Sequence, residues 1–367
     1  MKIVHIITSL HGGGRERRLV QLSKGLSADT NIKQYILILS PEIDYPEASN
    51  YAQIIQLQNS SRIVLFKSLT DKLLEIKPDI VHDWTGISLI LTTLSIMKYR
   101  LKFKYIEGFI ADGNPLKTAL SRITVRISFI VADAIISNSR AGLSAKHAPL
   151  SKSHVFYNGF DFNRIKNITK NDIIEFRQEL GLSDQTKIIS MLARHNPAKD
   201  WGTFLDVAQE MQKTHDDIVF LSVGKGSDLA SFNNDIRRRA LNNVKSLGFR
   251  HDAERIIAAS YLTLLFSNEK VHAEGVSNSI MESMAAGVPV IASNGGGTPE
   301  IITDTEDSYI IMPGDTMTAV SRINNLLSDE RLYKTISSKA VTKIHNNFDI
   351  SLMIDKYQKL YYQITTI

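Results

Sequence analysis

The chain has 367 residues, 43% hydrophobic and 22% charged, which is enough for two domains with a core in each and too apolar for disorder. It has no cysteine, which excludes a disulfide framework, Cys-ligated zinc or iron–sulfur and a thiol nucleophile, and which suits a reducing cytoplasm. The net charge of +5 is lopsided, with Lys and Arg exceeding Asp and Glu by 8 over residues 1–165 and falling short by 3 over the rest, so the first half suits an anionic partner.

The opening run turns polar too soon for a signal peptide and reads as a strand over Lys2–Thr8. Further β-branched runs follow at Tyr35–Leu39, Asp79–Trp84, Phe103–Glu107, Ala134–Ser137 and His154–Tyr157. A second series covers Lys187–Ala193, Ile218–Val223, Val244–Leu247, Leu262–Phe266, Val288–Ala292 and Tyr309–Ile311. Segments of helical period separate them, so both series predict parallel, doubly wound α/β sheets. The runs are continuously apolar, as strands buried on both faces are. The polar stretch Asn158–Asp172 divides the series and gives domains over 1–163 and 164–349. No uncharged apolar run reaches the ~18 residues of a membrane span.

Sheets of this kind bind ligands beyond the carboxyl ends of their strands, and three loops there carry chemistry. Ser9–Gly14 is glycine-rich and opens a helix, presenting backbone N–H groups to an anion. It is no dinucleotide fingerprint, because Arg17 stands where the third glycine belongs. Arg194 and Lys199 follow the first strand of the second series, a fork and a point charge suited to a diphosphate. In the third loop Glu274 and Gly275 precede a helix whose Ser279 and Glu282 have capping-box spacing. Gly287 and Pro289 end that helix, a buried strand runs into Gly295-Gly296-Gly297, and Thr298 with Pro299 starts the next helix as cap and first residue.

These motifs together resemble the retaining GT-B glycosyltransferases of family 4. The resemblance rests on Glu274 and Glu282 with seven residues between, Ser283–Ser293, and Gly296-Gly297-Thr298-Pro299-Glu300. It extends through Gly13–Glu16, Lys77–His82, Ala132–Ala134, Tyr157–Gly159, Val223–Gly226 and Leu247–Phe249, in the family's order. It implies two facing Rossmann-like domains with a cleft between them, and a C-terminal helix, about 350–367, crossing back onto the first domain. It further implies that Arg194 and Lys199 hold the donor diphosphate, Glu274 the donor sugar and Glu282 the ribose. Gly275, Val276, Ser277, Asn278 and Ser279 line the phosphate or sugar. Gly224, Phe249 and Arg250 flank the base, most often uracil, and Gly13 and Gly14 approach the donor phosphate. One departure is the absence of a histidine near Tyr105–Phe109, where either Glu107 does part of that work or the position is unused; His82 and Asp83 are candidates to touch the acceptor.

The resemblance thus predicts transfer of a hexose or N-acetylhexosamine from a UDP-sugar to a glycan or lipid-linked acceptor, in surface polysaccharide synthesis such as capsule or lipopolysaccharide. No D-x-D occurs, Glu42-Ile43-Asp44 being the nearest match, so transfer without a metal or other cofactor is expected. A UDP-sugar 2-epimerase and a non-catalytic nucleotide-sugar-binding relative are the alternatives. Cations interleave with apolar residues in Met97–Lys104 and Arg122–Val131, which suits an anionic inner-membrane surface and a peripheral location, whereas no nucleic-acid motif is present.

Overall fold

The computed structural model describes residues 1–366 apart from Ile87, Arg100 and Lys117, with the side chains of Ser88, Leu89, Met97, Lys98 and Tyr99 outside the description. Two units divide the chain, Met1–Gly159 with Ile350–Ile367 and Phe160–Asp349.

In the first unit seven parallel strands stand in the order β3-β2-β1-β4-β5-β6-β7: β1 (Lys2–Ile7), β2 (Lys33–Ile38), β3 (Gln53–Gln56), β4 (Ile80–Asp83), β5 (Lys104–Ile110), β6 (Ala134–Ser137) and β7 (Ser153–Val155). The helices between them are α1 (Gly14–Leu26), α2 (Arg62–Ile76), α3 (Ser88–Tyr99), α4 (Ala119–Val131) and α5 (Arg140–Ala145). Successive strand residues go to opposite cores. Ile3, Ile7, Ile36, Ile80 and Ile136 join one cluster, while Val4, Ile6, Leu37, Val81 and Ile135 join the other. That alternation is why the strands read as unbroken apolar runs. β3 was not anticipated: Gln-Ile-Ile-Gln is short, lies at the sheet edge and is polar at both ends.

The second unit has six parallel strands in the order β10-β9-β8-β11-β12-β13: β8 (Lys187–Leu192), β9 (Ile218–Val223), β10 (Val244–Gly248), β11 (Leu262–Leu265), β12 (Val290–Ser293) and β13 (Tyr309–Ile311). Its helices are α6 (Asn163–Lys166), α7 (Lys170–Glu179), α8 (Trp201–Gln212), α9 (Leu229–Arg238), α10 (Ala253–Ala259), α11 (Asn278–Ala285), α12 (Thr298–Ile301), α13 (Thr316–Ser328) and α14 (Glu330–Phe348). β12 starts two residues later than the sequence suggests. Gly287 adopts φ +73° and Val288 N donates to Ser283 O (2.9 Å), so Val288 still belongs to the stop of α11.

The last helix, α15 (Ile350–Thr365), packs in the first unit, where Met353, Tyr357, Leu360, Tyr361 and Ile364 complete the core beside α1. Two glycines admit it. A Cβ on Gly25 would lie 2.3 Å from Ile354 Cδ1, and one on Gly159 would lie 2.6 Å from Ile350 Cα.

Candidate functional site

In each sheet the strand order reverses at one place, between β1 and β4 in the first unit and between β8 and β11 in the second. Loops leaving a pair of strands at such a point diverge to opposite faces and leave room for a ligand. In the second unit the loop after β8 crosses to β11: Lys199 pairs with Ser267 as an antiparallel bridge, Asp200 N donates to Phe266 O (3.0 Å) and Asn268 N donates to Ala198 O (2.9 Å). This brings Lys199 against the third loop, where its Nζ donates to Glu274 Oε1. Ser267 Oγ donates to the same oxygen at 3.3 Å. The Lys199 and Glu274 side chains are 14% and 16% exposed, so their attraction is less screened than a surface pair's.

The glycines after β12 hold Glu274 from behind. Gly297 N donates to Glu274 O (2.9 Å), and a Cβ on Gly296, at φ +50°, would stand 2.0 Å from the same carbonyl. A Cβ on Gly297 would stand 2.7 Å from the carbonyl of Gly275. The triplet thus seats the Glu274–Gly275 backbone, a task the sequence did not disclose. Thr298 is the first residue of α12 and not its cap, which is Gly297.

The capping box expected at Ser279 and Glu282 does not form. α11 starts earlier, with Ser277 as N-cap and no side-chain cap bond, so Ser279 is the second helical residue. Glu282 then lies more than a turn inside, where Oε1 accepts from Arg164 Nη2 at 3.0 Å. The same guanidinium binds Glu254 through Nε (2.7 Å) and Nη2. Gly275, Val276 and Ser277 are buried, whereas Asn278 and Ser279 are half-buried at the helix start.

The loop after β9 meets the Arg194 loop through glycine. A Cβ on Gly224 would stand 2.0 Å from Ala193 O, and one on Gly226 the same distance from His195 O. His195, fully buried, stacks on Trp201 with centroids 3.9 Å apart and planes 6° apart. Burial lowers its pKa to about 4. Trp201 Nε1 in turn donates to Arg194 O (3.2 Å), so this aromatic stack supports the backbone beneath the cations. Phe249 is 53% exposed with Lys225 Nζ 4.9 Å above its ring. Arg250 is engaged otherwise than expected: it donates to Glu179 Oε1 and Oε2 (2.5 and 3.2 Å) and to Asp252 Oδ1 and Oδ2 (2.9 and 2.8 Å), tying α7 to this loop.

In the first unit Gly13 caps α1 in an extended conformation and Gly14 begins it. Asp44, from the nearest match to an acidic metal motif, accepts from Gly12 N (2.7 Å) and pairs with His11 Nδ1 (3.0 Å), so it braces the glycine loop. His82 is a core residue, which corrects the expectation of an acceptor contact. It has no exposed surface, its Nδ1 bonds Tyr361 Oη at 2.7 Å, and it packs on Trp84 with centroids 4.3 Å apart. Asp83 and Glu107 are also fully buried, register partners on β4 and β5 rather than exposed acceptor ligands. Asp83 accepts from Thr85 N (2.9 Å) and Thr92 Oγ1 (3.3 Å), while Glu107 Oε1 accepts from Phe109 N (3.1 Å). Burial, then the charge of Asp83, pushes the Glu107 carboxyl well above its ordinary range. Sequence reasoning missed Arg18, which is buried, lies 4.8 Å from the Trp84 ring and donates to Asn158 Oδ1 at 3.2 Å. The Tyr157-Asn158-Gly159 motif therefore closes the first unit: Asn158 anchors α1, and Gly159 admits α15.

Residues 172–343 match the family model described as glycosyl transferases group 1. The matched residues all lie within the second unit. The chain is 24% identical over 243 residues to N-acetyl-alpha-D-glucosaminyl L-malate synthase of Bacillus anthracis, a match covering 65% of this chain and 62% of the relative. It is 28% identical over 216 residues to UDP-Gal:alpha-D-GlcNAc-diphosphoundecaprenol alpha-1,3-galactosyltransferase of Escherichia coli, covering 57% of this chain and 54% of the relative. The chain thus spans under two thirds of the length of both curated relatives. Among solved structures, Anabaena HepE in complex with UDP and glucose superposes with a TM-score of 0.85 at 22% identity, covering 98% of this chain and 99% of that one. This likeness shows the fold: the two units are the two Rossmann-like units of a GT-B fold.

Proposed function

We propose that the chain transfers a hexosyl or N-acetylhexosaminyl group from a UDP-sugar, with retention at the anomeric carbon, to a glycan or lipid-linked acceptor. The observation that carries this reading is the meeting of Lys199, Ser267 and Glu274 at the reversal point of the second unit. Two relatives supply the chemistry by their names, one with a UDP-Gal donor and a diphosphoundecaprenol-linked acceptor, the other with UDP and glucose bound.

In this reading the leaving UDP develops negative charge as the glycosidic bond breaks. Lys199 has three donors and gives one to Glu274, so the others point its charge at the diphosphate beside Arg194. Glu274 keeps the ammonium in place through Oε1 and offers Oε2 to donor hydroxyls. The start of α11 adds backbone N–H groups at Asn278 and Ser279. These fixed donors take the part that a divalent metal plays elsewhere, and the reading includes no metal or other cofactor.

Lys199→Ala is expected to lower kcat by about 10²–10³, the usual cost of one fixed donor to a developing anion, and Glu274→Ala to lower it comparably. Product formation is followed by chromatography with a UDP-sugar panel. Unchanged turnover of every donor in both variants overturns the assignment, and epimer appearing without acceptor transfers it to the isomerase reading. Excess EDTA is expected to leave turnover unaltered; a loss restored by Mg²⁺ or Mn²⁺ overturns the metal-free step.

We further propose that the first unit docks on the inner leaflet through α4. Leu120, Ile123, Ile127 and Ile130 are 73%, 57%, 43% and 75% exposed along one side of that helix, with Arg122 and Arg126 exposed beside them. The helix carries no acidic residue. Apolar side chains flanked by guanidinium groups suit an anionic headgroup layer. Of the other basic stretch, Arg100 and the side chains of Met97, Lys98 and Tyr99 lie outside the described residues, and Phe103 packs on the core.

A further inference from the structure

We propose that Arg164 is a positioning residue for nucleotide recognition, holding Glu282 so that this carboxylate selects ribose over deoxyribose; the proposal rests on the reading of Glu282 as the ribose ligand. Arg164 lies on the four-residue α6, yet its side chain spans two helices, reaching Glu254 on α10 and Glu282 on α11. Three contacts fix its plane. Nε donates to Glu254 Oε1 at 2.7 Å, Nη2 donates to Glu282 Oε1 at 3.0 Å, and the Phe160 ring lies 5.3 Å from the guanidinium carbon. The Arg164, Glu254 and Glu282 side chains are 21%, 20% and 10% exposed, so the group is mostly out of water.

The arrangement has the chemistry of a carboxylate held for a ligand rather than a pair formed for stability. Two carboxylates share one guanidinium, so the three side chains together sum to one negative charge. Glu254 takes the stronger share of the fork, which orients Arg164 without neutralising Glu282. Glu282 has lost the helix-capping task its spacing suggests, and lateral support from Arg164 replaces it. A lysine could supply the charge but not the planar two-carboxylate span. Hydrogen bonds from vicinal ribose hydroxyls to a carboxylate so fixed would separate UDP from 2′-deoxy-UDP by roughly 10-fold or more, the range for a bond to a charged group.

The test measures calorimetric Kd values for UDP and 2′-deoxy-UDP on the full chain, with Tm as the record of folding. The unaltered protein is expected to favour UDP by at least about 10-fold, and Glu282→Gln to reduce that ratio. Arg164→Met is expected to bring the ratio within about threefold of unity while leaving 2′-deoxy-UDP affinity nearly unchanged; Arg164→Lys retains part of the preference. If Arg164→Met weakens both nucleotides equally, or only lowers Tm, Arg164 is merely structural and the proposal falls. Should Arg164→Met fail to fold, Arg164→Lys and Glu254→Gln read the same ratio, and an unchanged ratio in both overturns it. A ratio unchanged by Glu282→Gln instead overturns the ribose reading, and no UDP binding by the unaltered protein overturns the donor assignment itself.

Discussion

His195 shows how one buried side chain couples the site to pH. Its imidazole is fully buried between Trp201 and Phe232, with neither ring nitrogen hydrogen-bonded, and desolvation holds its pKa near 4. Above pH 6.5 it is neutral in both folded and unfolded chains and costs nothing. As pH falls below 6.5 the unfolded chain takes up the proton first, so stability drops by up to about 1.4 kcal/mol per pH unit until about pH 4. His5, lowered to about 3, and His82, also lowered by burial, act with the same sign in the first unit. His195→Leu is therefore expected to flatten part of the acid limb of Tm against pH between 6.5 and 4; superimposable limbs in calorimetry would refute this. Such residue-level couplings were legible only in part. Arg194, Lys199 and Glu274 announced themselves by charge at strand ends. Arg164 did not, because 118 residues separate it from Glu282 and nothing local marks an arginine as a partner.

Among the elements, the loops were harder to read than the strands. Continuous apolar runs located twelve of the strands because most are buried on both faces and the half-buried edge strands β7 and β10 keep apolar residues, whereas β3, also at an edge, is short with glutamine at both ends. Glycine was visible but its purpose was not. Gly224 read as a residue flanking the base, and Gly226, Gly296 and Gly297 only as members of family motifs, yet in the fold each stands against a backbone carbonyl or its carbon of a neighbouring loop. Gly224→Ala, whose Cβ would meet Ala193 O at 2.0 Å on a backbone of φ +151°, is expected to cost on the order of 2 kcal/mol. Chemical denaturation measures it, and a change below ~0.5 kcal/mol would show that the loops yield freely. For α4 the expected result is salt-sensitive co-sedimentation with phosphatidylglycerol vesicles, lost on Ile123→Glu with Arg126→Glu while UDP affinity is kept. Equal pelleting of the double variant would remove α4 as the docking element.

At the scale of the whole molecule the first unit is assembled from two distant pieces, Met1–Gly159 and Ile350–Ile367, around the continuous second unit. A fragment spanning 160–349 is expected to unfold cooperatively and to bind UDP measurably. A fragment of 1–159 is expected to be insoluble or molten, because it leaves bare the surface that Tyr357, Leu360 and Tyr361 cover. Adding a peptide of residues 350–367 in trans should restore a thermal transition; a cooperative transition in 1–159 alone would contradict the argument. The sequence hinted at this closure only through the family resemblance, which implied that a C-terminal helix, about 350–367, crosses back onto the first domain. The family motif ending at His82 reads as chemistry until Tyr361 is seen bonded to it from the far end of the chain.

That bond sets an order of events during synthesis. Residues 1–159 leave the ribosome with one flank of their sheet uncovered and stay so while some 190 further residues are made, because the helix that completes them follows the whole second unit in the chain. The intervening unit, continuous in sequence, is free to fold meanwhile. The nascent chain thus carries a finished second unit beside an unfinished, sticky first one, and this interval is when a holdase chaperone is most needed. Ribosome-release and pulse-proteolysis measurements should find the protein protease-resistant from its middle outward, with the N-terminal unit protected only after residues 350–367 have emerged.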